Sequence, residues 1–229
     1  MRSKYLFVSA ACLMMAGLVT AAASTDETSR LQNAATVVSA LRTQPDNGIP
    51  EKLWQKAACV VVIPNLKKAA FGIGGEYGKG VMSCRKADGW GAPAFMELEK
   101  GSWGFQIGGT EIDLVLLVMN REGAQKLLNN KVSLGADASV AAGPAGRAAA
   151  ASTDGQLSAE ILSYSRAKGI FAGIDISGGV LRADKDANTG VYGPNTDAKD
   201  IAFGNAKPPV EAQAFLKELG RQAVGTSGK

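Results

Sequence analysis

The sequence predicts an α+β fold: a single domain built on a strongly curved, mainly antiparallel β-sheet or partial barrel, with flanking helices at both ends. Three observations lead there. Apolar residues recur at helical spacing near both ends of the chain. From Cys59 onward the texture changes to short β-like runs joined by turns of a few residues, which suits antiparallel neighbours better than crossover helices. Many of the 28 glycines fall within or between those runs, where glycine costs stability unless the sheet bends or another backbone packs close.

The first residues stand outside that fold. Arg2 and Lys4 precede an uncharged stretch from Tyr5 to Val19, and Ala21, Ala22 and Ala23 lead into polar Ser24 to Asp26. This is the layout of a secretory signal peptide cleaved near Ala23, which assigns residues 1–23 to the signal and 24–229 to one domain. An uncleaved anchor needs about 20 apolar residues, more than this segment offers. A lipoprotein with Cys12 acylated would meet Ser9 where a large aliphatic residue is usual. The layout therefore leads us to expect an exported protein. Without the signal, 23 basic residues face 21 acidic ones, and so mild a surplus argues against nucleic acid as a partner.

Within the domain, "TSRLQNAATVVSALR" at 28–42 places Leu31, Ala34, Ala35, Val38 and Leu41 on one helical face. "PDNG" breaks it, and Pro50 opens a short second helix through Lys56. Strand-like runs follow at 59–63, 78–84, 92–98, 103–109 and 112–118. Asn120 can cap a helix over 121–128, and strand-like sequence resumes at 132–141 and 157–163. "YSRAKGIFAGIDISGG" at 164–179 then alternates as a strand does, with Ile170, Ala172, Ile174 and Ile176 on one side. Pro208 and Pro209 precede a last amphipathic helix. The small-residue stretch 143–152 reads as a surface loop.

Several chemistries are closed or weak. The chain has no histidine, which removes Ser-His-Asp and Cys-His catalysis and the commonest zinc ligand. Tyr164-x-x-x-Lys168 has the spacing of a dehydrogenase acid/base pair, but no glycine-rich dinucleotide turn accompanies it. "DKDANTG" at 184–190 begins like a calcium loop, yet its glycine stands one place late and Asn195 occupies the position of the bidentate glutamate; a polar helical turn is the preferred reading. Carboxylates such as Glu76, Glu97, Glu99, Glu111 and Asp113 show no sign of convergence, so no catalytic residue, metal or cofactor is expected, and a hydrolase using an unrecognised carboxylate pair is the weakest of three function classes. Cys59 and Cys84 are the thiols left after cleavage. A bridge between them would close a loop of about 25 residues, worth on the order of 3 kcal/mol; two separate buried thiols are the alternative, and sequence does not choose between them.

What remains is a basic and apolar region comprising Lys52, Trp54, Lys56, Lys67, Lys68 and Phe71. Lysines flanking apolar and aromatic side chains suit an interfacial contact with anionic lipid; solvated lysines over a buried Trp54 fit the same residues. Three blocks weigh here: "VVVIPNLKKAAFGIGGEYGKGVMSCR" at 60–85, "GWGAPAFMELEKGSWGFQIGGTEIDLVLLVMN" at 89–120 and "YSRAKGIFAGIDISGGVLRADKDANTGVYG" at 164–193. Together and in this order they resemble the SYLF domain family, the lipid-binding actin regulators, over roughly residues 28–222. The resemblance implies phospholipid or phosphoinositide binding through a basic amphipathic amino-terminal segment, and makes Tyr164, Lys168, Gly169 and Gly173 structural. With an export signal the chain looks like a bacterial member of the periplasm or cell envelope, associated with the membrane, for which neither actin nor a phosphoinositide is an expected partner. The expected function is non-enzymatic binding of anionic phospholipid at the cell envelope, through the region from Arg30 to Phe71. The rival class is a structural or stress-related envelope protein that binds another protein.

Overall fold

The computed structural model describes residues 23–43, 49–71, 73–103, 108–129, 131–144, 158–167 and 170–221. The expected signal segment up to residue 22, most of the 143–152 stretch, and Lys168 with Gly169 lie outside the described residues. The elements run α1 (Thr25–Arg42), α2 (Glu51–Lys56), β1 (Cys59–Phe71), β2 (Ile73–Lys86), β3 (Gly89–Trp90), β4 (Ala94–Trp103), β5 (Gly108–Val118) and α3 (Arg121–Asn129). Then come β6 (Val132–Ser133), β7 (Val140–Ala142), β8 (Ile161–Ala167), β9 (Ile170–Gly173), β10 (Val180–Ala183), α4 (Lys185–Tyr192), α5 (Ala198–Phe203) and, after a single 3-10 turn, α6 (Gln213–Gly220).

The strands form one curled half-barrel sheet in the order β6-β10-β4-β2-β1-β5-β8-β7, with β3 beside β2 and β9 beside β8. Its pairings are antiparallel except β7 with β8. The centre is dry on both sides. On β1 and β5, Cys59, Val61, Ile63, Leu114, Leu116 and Val118 pack with Leu127 of α3 and Ile201 of α5. Val60, Val62, Val115 and Leu117 point the other way, into a layer made by α1, α2 and α6. That double burial is why "CVVVI" and "IDLVLLV" are unbroken apolar runs rather than alternating ones. α1 contributes Leu31, Ala34, Val38 and Leu41, all buried.

The curl has a local cause in β1. The register slips between Ile63 and Leu66 against β5, and between Val62 and Lys67 against β2. Pro64 cannot donate to a ladder, so a bulge is where it fits. Asn65 takes φ 52, a conformation asparagine tolerates better than most residues, and its N–H donates to Asp113 Oδ1 at 3.1 Å. Asp113 is held in turn by Arg166 Nε at 2.7 Å. Across the bulge, β2 comes so near that a Cβ on Gly80 would stand 2.1 Å from the Val62 carbonyl oxygen.

Residues 164–179 correct the single-strand expectation. Tyr164 lies in β8, which pairs antiparallel with β9 so that Ala167 faces Ile170 and Tyr164 faces Gly173. Ile170 is 64% exposed and Ile176 is buried, so the four alternating residues do not share an environment. The Tyr164 ring is buried against Gly143, where an added Cβ would come within 2.1 Å of the ring, and its hydroxyl donates to the Pro144 carbonyl at 3.3 Å. Burial pushes the phenol well above its ordinary pKa. Its place is structural. "DKDANTG" forms the start of α4, with Asp184 capping the helix by accepting from the Ala187 N–H at 3.2 Å.

Candidate functional site

The sequence-predicted lysines divide into two groups. The first surrounds α2. Its helical start follows from Pro50, and its apolar members Leu53 and Trp54 turn inward. Trp54 is 2% exposed and its indole N–H reaches the Leu219 carbonyl at 3.4 Å. The Arg42 guanidinium lies over the same ring, 4.3 Å from its centroid, and donates to Glu51 at 2.6 Å and to the Leu219 carbonyl at 3.3 Å. Burial pulls Arg42 below its ordinary pKa, with Glu51 opposing that pull. Arg85 closes the corner from β2: it donates to the carbonyls of Trp54 (3.2 Å) and Ala57 (3.3 Å) and stacks over Trp90 at 4.4 Å. Lys52 and Lys56, one helical turn apart on α2, are exposed, and neither makes an ion pair among the described contacts. Four cations thus surround a six-residue helix, opposed locally by Glu51. Next to it Cys59 and Cys84, register partners on β1 and β2, are joined by a disulfide.

The second group lies beyond the bulge. Eight residues of strand separate Cys59 from Lys67, roughly 26 Å at 3.3 Å per residue. Lys67 pairs in register with Tyr77, while Lys68 points to the opposite face and binds Glu76 at 3.0 Å. The Phe71 side chain lies outside the described residues. The structure therefore does not gather Lys52, Trp54, Lys56, Lys67 and Lys68 into one patch, and Trp54 presents no apolar surface to a bilayer.

A further polar centre, which no sequence pattern announced, docks α1. Arg30 donates to Asp184 at 2.8 Å, Lys79 approaches the same carboxylate oxygen at 3.2 Å, and Arg30 also lies near Glu27 at 3.7 Å and Asp26 at 3.8 Å. Burial alone would raise the Asp184 carboxyl, but hydrogen bonds from Arg30, the Ala187 N–H and Lys79 overcome it and hold the group below the usual carboxylate range. Asn188 locks α4 to β4 by exchanging hydrogen bonds with the Phe95 N–H (2.8 Å) and carbonyl (2.9 Å). Sequence reasoning took Arg30 only as the start of the expected contact region and missed the roles of Arg30, Arg42 and Arg85, because each works with residues distant along the chain. Among the described residues no group of three or more acidic or cysteine side chains is placed to hold a metal ion, and no helix is long and apolar enough to cross a membrane.

Three comparisons bear on this geometry. A family profile described as "Las17-binding protein actin regulator", Ysc84, matches residues 99–222, more than half of the chain. Protein YSC84 of Saccharomyces cerevisiae is 33% identical over 183 residues, covering 78% of this chain and 39% of the yeast protein. The SH3 domain-containing YSC84-like protein 1 of Rattus norvegicus is 32% identical over 181 residues, covering 78% of this chain and 53% of its own length. The chain spans about half or less of these relatives.

Proposed function

The chain belongs to the Ysc84, or SYLF, family, and from that premise we propose that it is a non-enzymatic protein that binds anionic phospholipid at the bacterial cell envelope after export and loss of residues 1–23. The contact is the corner around α2: Lys52 and Lys56 meet the headgroups, while Arg42 and Arg85 add charge behind them. The observation that supports this reading is the pair of exposed, unpaired lysines on a helix whose aromatic residue is already committed to the core. It also sets the mode of binding. The apolar face of α1 is buried on the sheet, as is Trp54, so attraction to the surface is electrostatic, at about 1 kcal/mol per basic residue near the headgroups, and it is screened by salt. Las17 binding and actin regulation are what the relatives' names describe; an exported chain would meet neither.

Flotation with vesicles tests this. The mature chain should float with phosphatidylglycerol vesicles, float less as salt rises, and float little with phosphatidylcholine alone. The variant carrying Lys52→Ser and Lys56→Ser should bind about 30-fold more weakly at low salt, the effect of losing two such charges at about 1 kcal/mol each. Unchanged flotation of this variant would remove the α2 corner from the proposal. A parent chain that floats with no lipid mixture would hand the function to the rival, an envelope protein whose surface binds another protein.

A further inference from the structure

α3 ends, and α4 and α5 begin, around one cleft at the β10 side of the sheet. Two cavities of about 360 and 380 Å³ adjoin there and share Leu128, Asn129, Ala183 and Lys185 as lining. Each falls within the size range of ordinary small-molecule sites, and their chemistry differs from end to end. The first is lined by Lys131, Arg182 and Lys185. Arg182 is held by Glu97 at 2.7 Å and Glu99 at 2.9 Å, whereas Lys131 and Lys185 are exposed and make no ion pair among the described contacts. The second cavity is lined by Asn129, Thr189, Asn195 and Asp197. Asp197 accepts from the Asp200 N–H through one oxygen at 2.8 Å, and its other oxygen remains to accept from a ligand hydroxyl.

The carboxyl end of α3 carries partial negative charge and accounts for one lysine at this spot. It does not account for two exposed lysines, neither in an ion pair among the described contacts, beside a cavity that continues into a row of amides and hydroxyls. An ammonium is a compact charge suited to a phosphate, and neutral amides with one carboxylate suit hydroxyl groups. We propose that the cleft binds a phosphorylated polyol, with the phosphate between Lys131 and Lys185 and the hydroxyls on Asn129, Thr189, Asn195 and Asp197. Glycerol phosphate presents this chemistry in two forms, free or as the headgroup of phosphatidylglycerol. The inference stands apart from the α2 corner and does not need it.

Titrating glycerol 3-phosphate into the mature chain, with backbone amide shifts as the readout, should give saturable changes centred on Asn129, Lys131, residues 182–189 and residues 195–197. Glycerol should give none, and inorganic phosphate should compete. The variant carrying Lys131→Ser and Lys185→Ser should bind roughly tenfold or more weakly while melting at the parent's temperature, since both side chains are exposed. Absence of saturable shifts, or unchanged affinity in this variant, would overturn the proposal. Flotation separates the sources. If the same variant floats less well with phosphatidylglycerol vesicles, the lipid headgroup is the ligand; if it floats like the parent while its glycerol phosphate affinity falls, the ligand is the free phosphate. The Lys52 and Lys56 variant reads only the α2 corner, so either reading can fail without the other.

Discussion

Four strands, β1, β2, β4 and β5, build two regions that obey different rules. Toward the disulfide end the strands are covered on both faces, and the last buried residues, Leu66 opposite Ile112 and Gly78 opposite Leu98, draw a line across the sheet. Beyond that line none of the residues whose burial is described is buried: Lys67, Lys68, Gly74, Gly75, Glu76, Tyr77, Glu99, Lys100, Gly101 and Glu111 are exposed or half-exposed. Glycine occurs on both sides of the line for unlike reasons. Gly80 sits where a backbone passes too close for a side chain, whereas a Cβ on Gly101 would meet nothing within 4 Å. Glycine content alone therefore reports neither curvature nor looseness; the neighbour across the sheet decides which.

The largest effect should come from Gly80→Ala. The obstacle is backbone, the Val62 carbonyl and the Ile63 Cα, so the change must push β1 from β2 at the bulge that curls the sheet. We expect a loss of about 4 kcal/mol or more, above the roughly 1–3 kcal/mol typical of an overpacked core because the obstacle is backbone, read as a lowered denaturant midpoint or as insoluble protein. A variant that melts within a few degrees of the parent would show that the two strands are less tightly joined than the line across the sheet implies.

The same contrast applies to charge. Asp184 is buried with Arg30, while the side chains of Arg182 and Glu99 are 40% and 46% exposed. Asp184→Asn keeps a helix cap but leaves Arg30 without its closest carboxylate, and should cost about 3 kcal/mol; Glu99→Gln should cost less than about 1 kcal/mol. The two also differ in pH dependence. The folded Asp184 carboxyl is held below its unfolded value, so its contribution is fully present above the unfolded pKa of about 3.9 and is lost as pH falls through the folded one. The deficit of Asp184→Asn, measured by urea unfolding, should persist near neutrality and shrink below about pH 4. A deficit independent of pH would mean that the asparagine disturbs packing instead.

Legibility followed the same division. α1 could be read from spacing, α2 from the proline at its start, and β1 and β5 from unbroken apolar runs, because burial on two faces leaves a pattern in consecutive residues. The pairing of β8 with β9 could not: alternation from Ile170 to Ile176 continues through the sequence whether or not the chain reverses. α5, with six residues, is too short to show a period. At the candidate site, Lys52 and Lys56 were legible as exposed charges on a short helix. Burial of Trp54 was one of two readings left open, because the contacts that decide it, with Leu219 and Arg42, leave no local pattern; the separation of Lys67 from Lys68, which follows from strand alternation beyond the Pro64 bulge, was not legible.

The smallest effect is the most discriminating. Gly101 on β4 pairs with Gly75 on β2, both are exposed, and the nearest atom to a Cβ on Gly75 would be the Lys100 carbonyl oxygen at 3.6 Å. A β-branched residue at position 101 would thus gain strand propensity without meeting an obstacle. Gly101→Thr should stabilise the chain by up to about 1 kcal/mol, a rise in midpoint of a few degrees at this size. If it destabilises instead, something beyond the intrachain neighbours holds position 101 to glycine, and the exposed end of the sheet is a surface against which another backbone must come close.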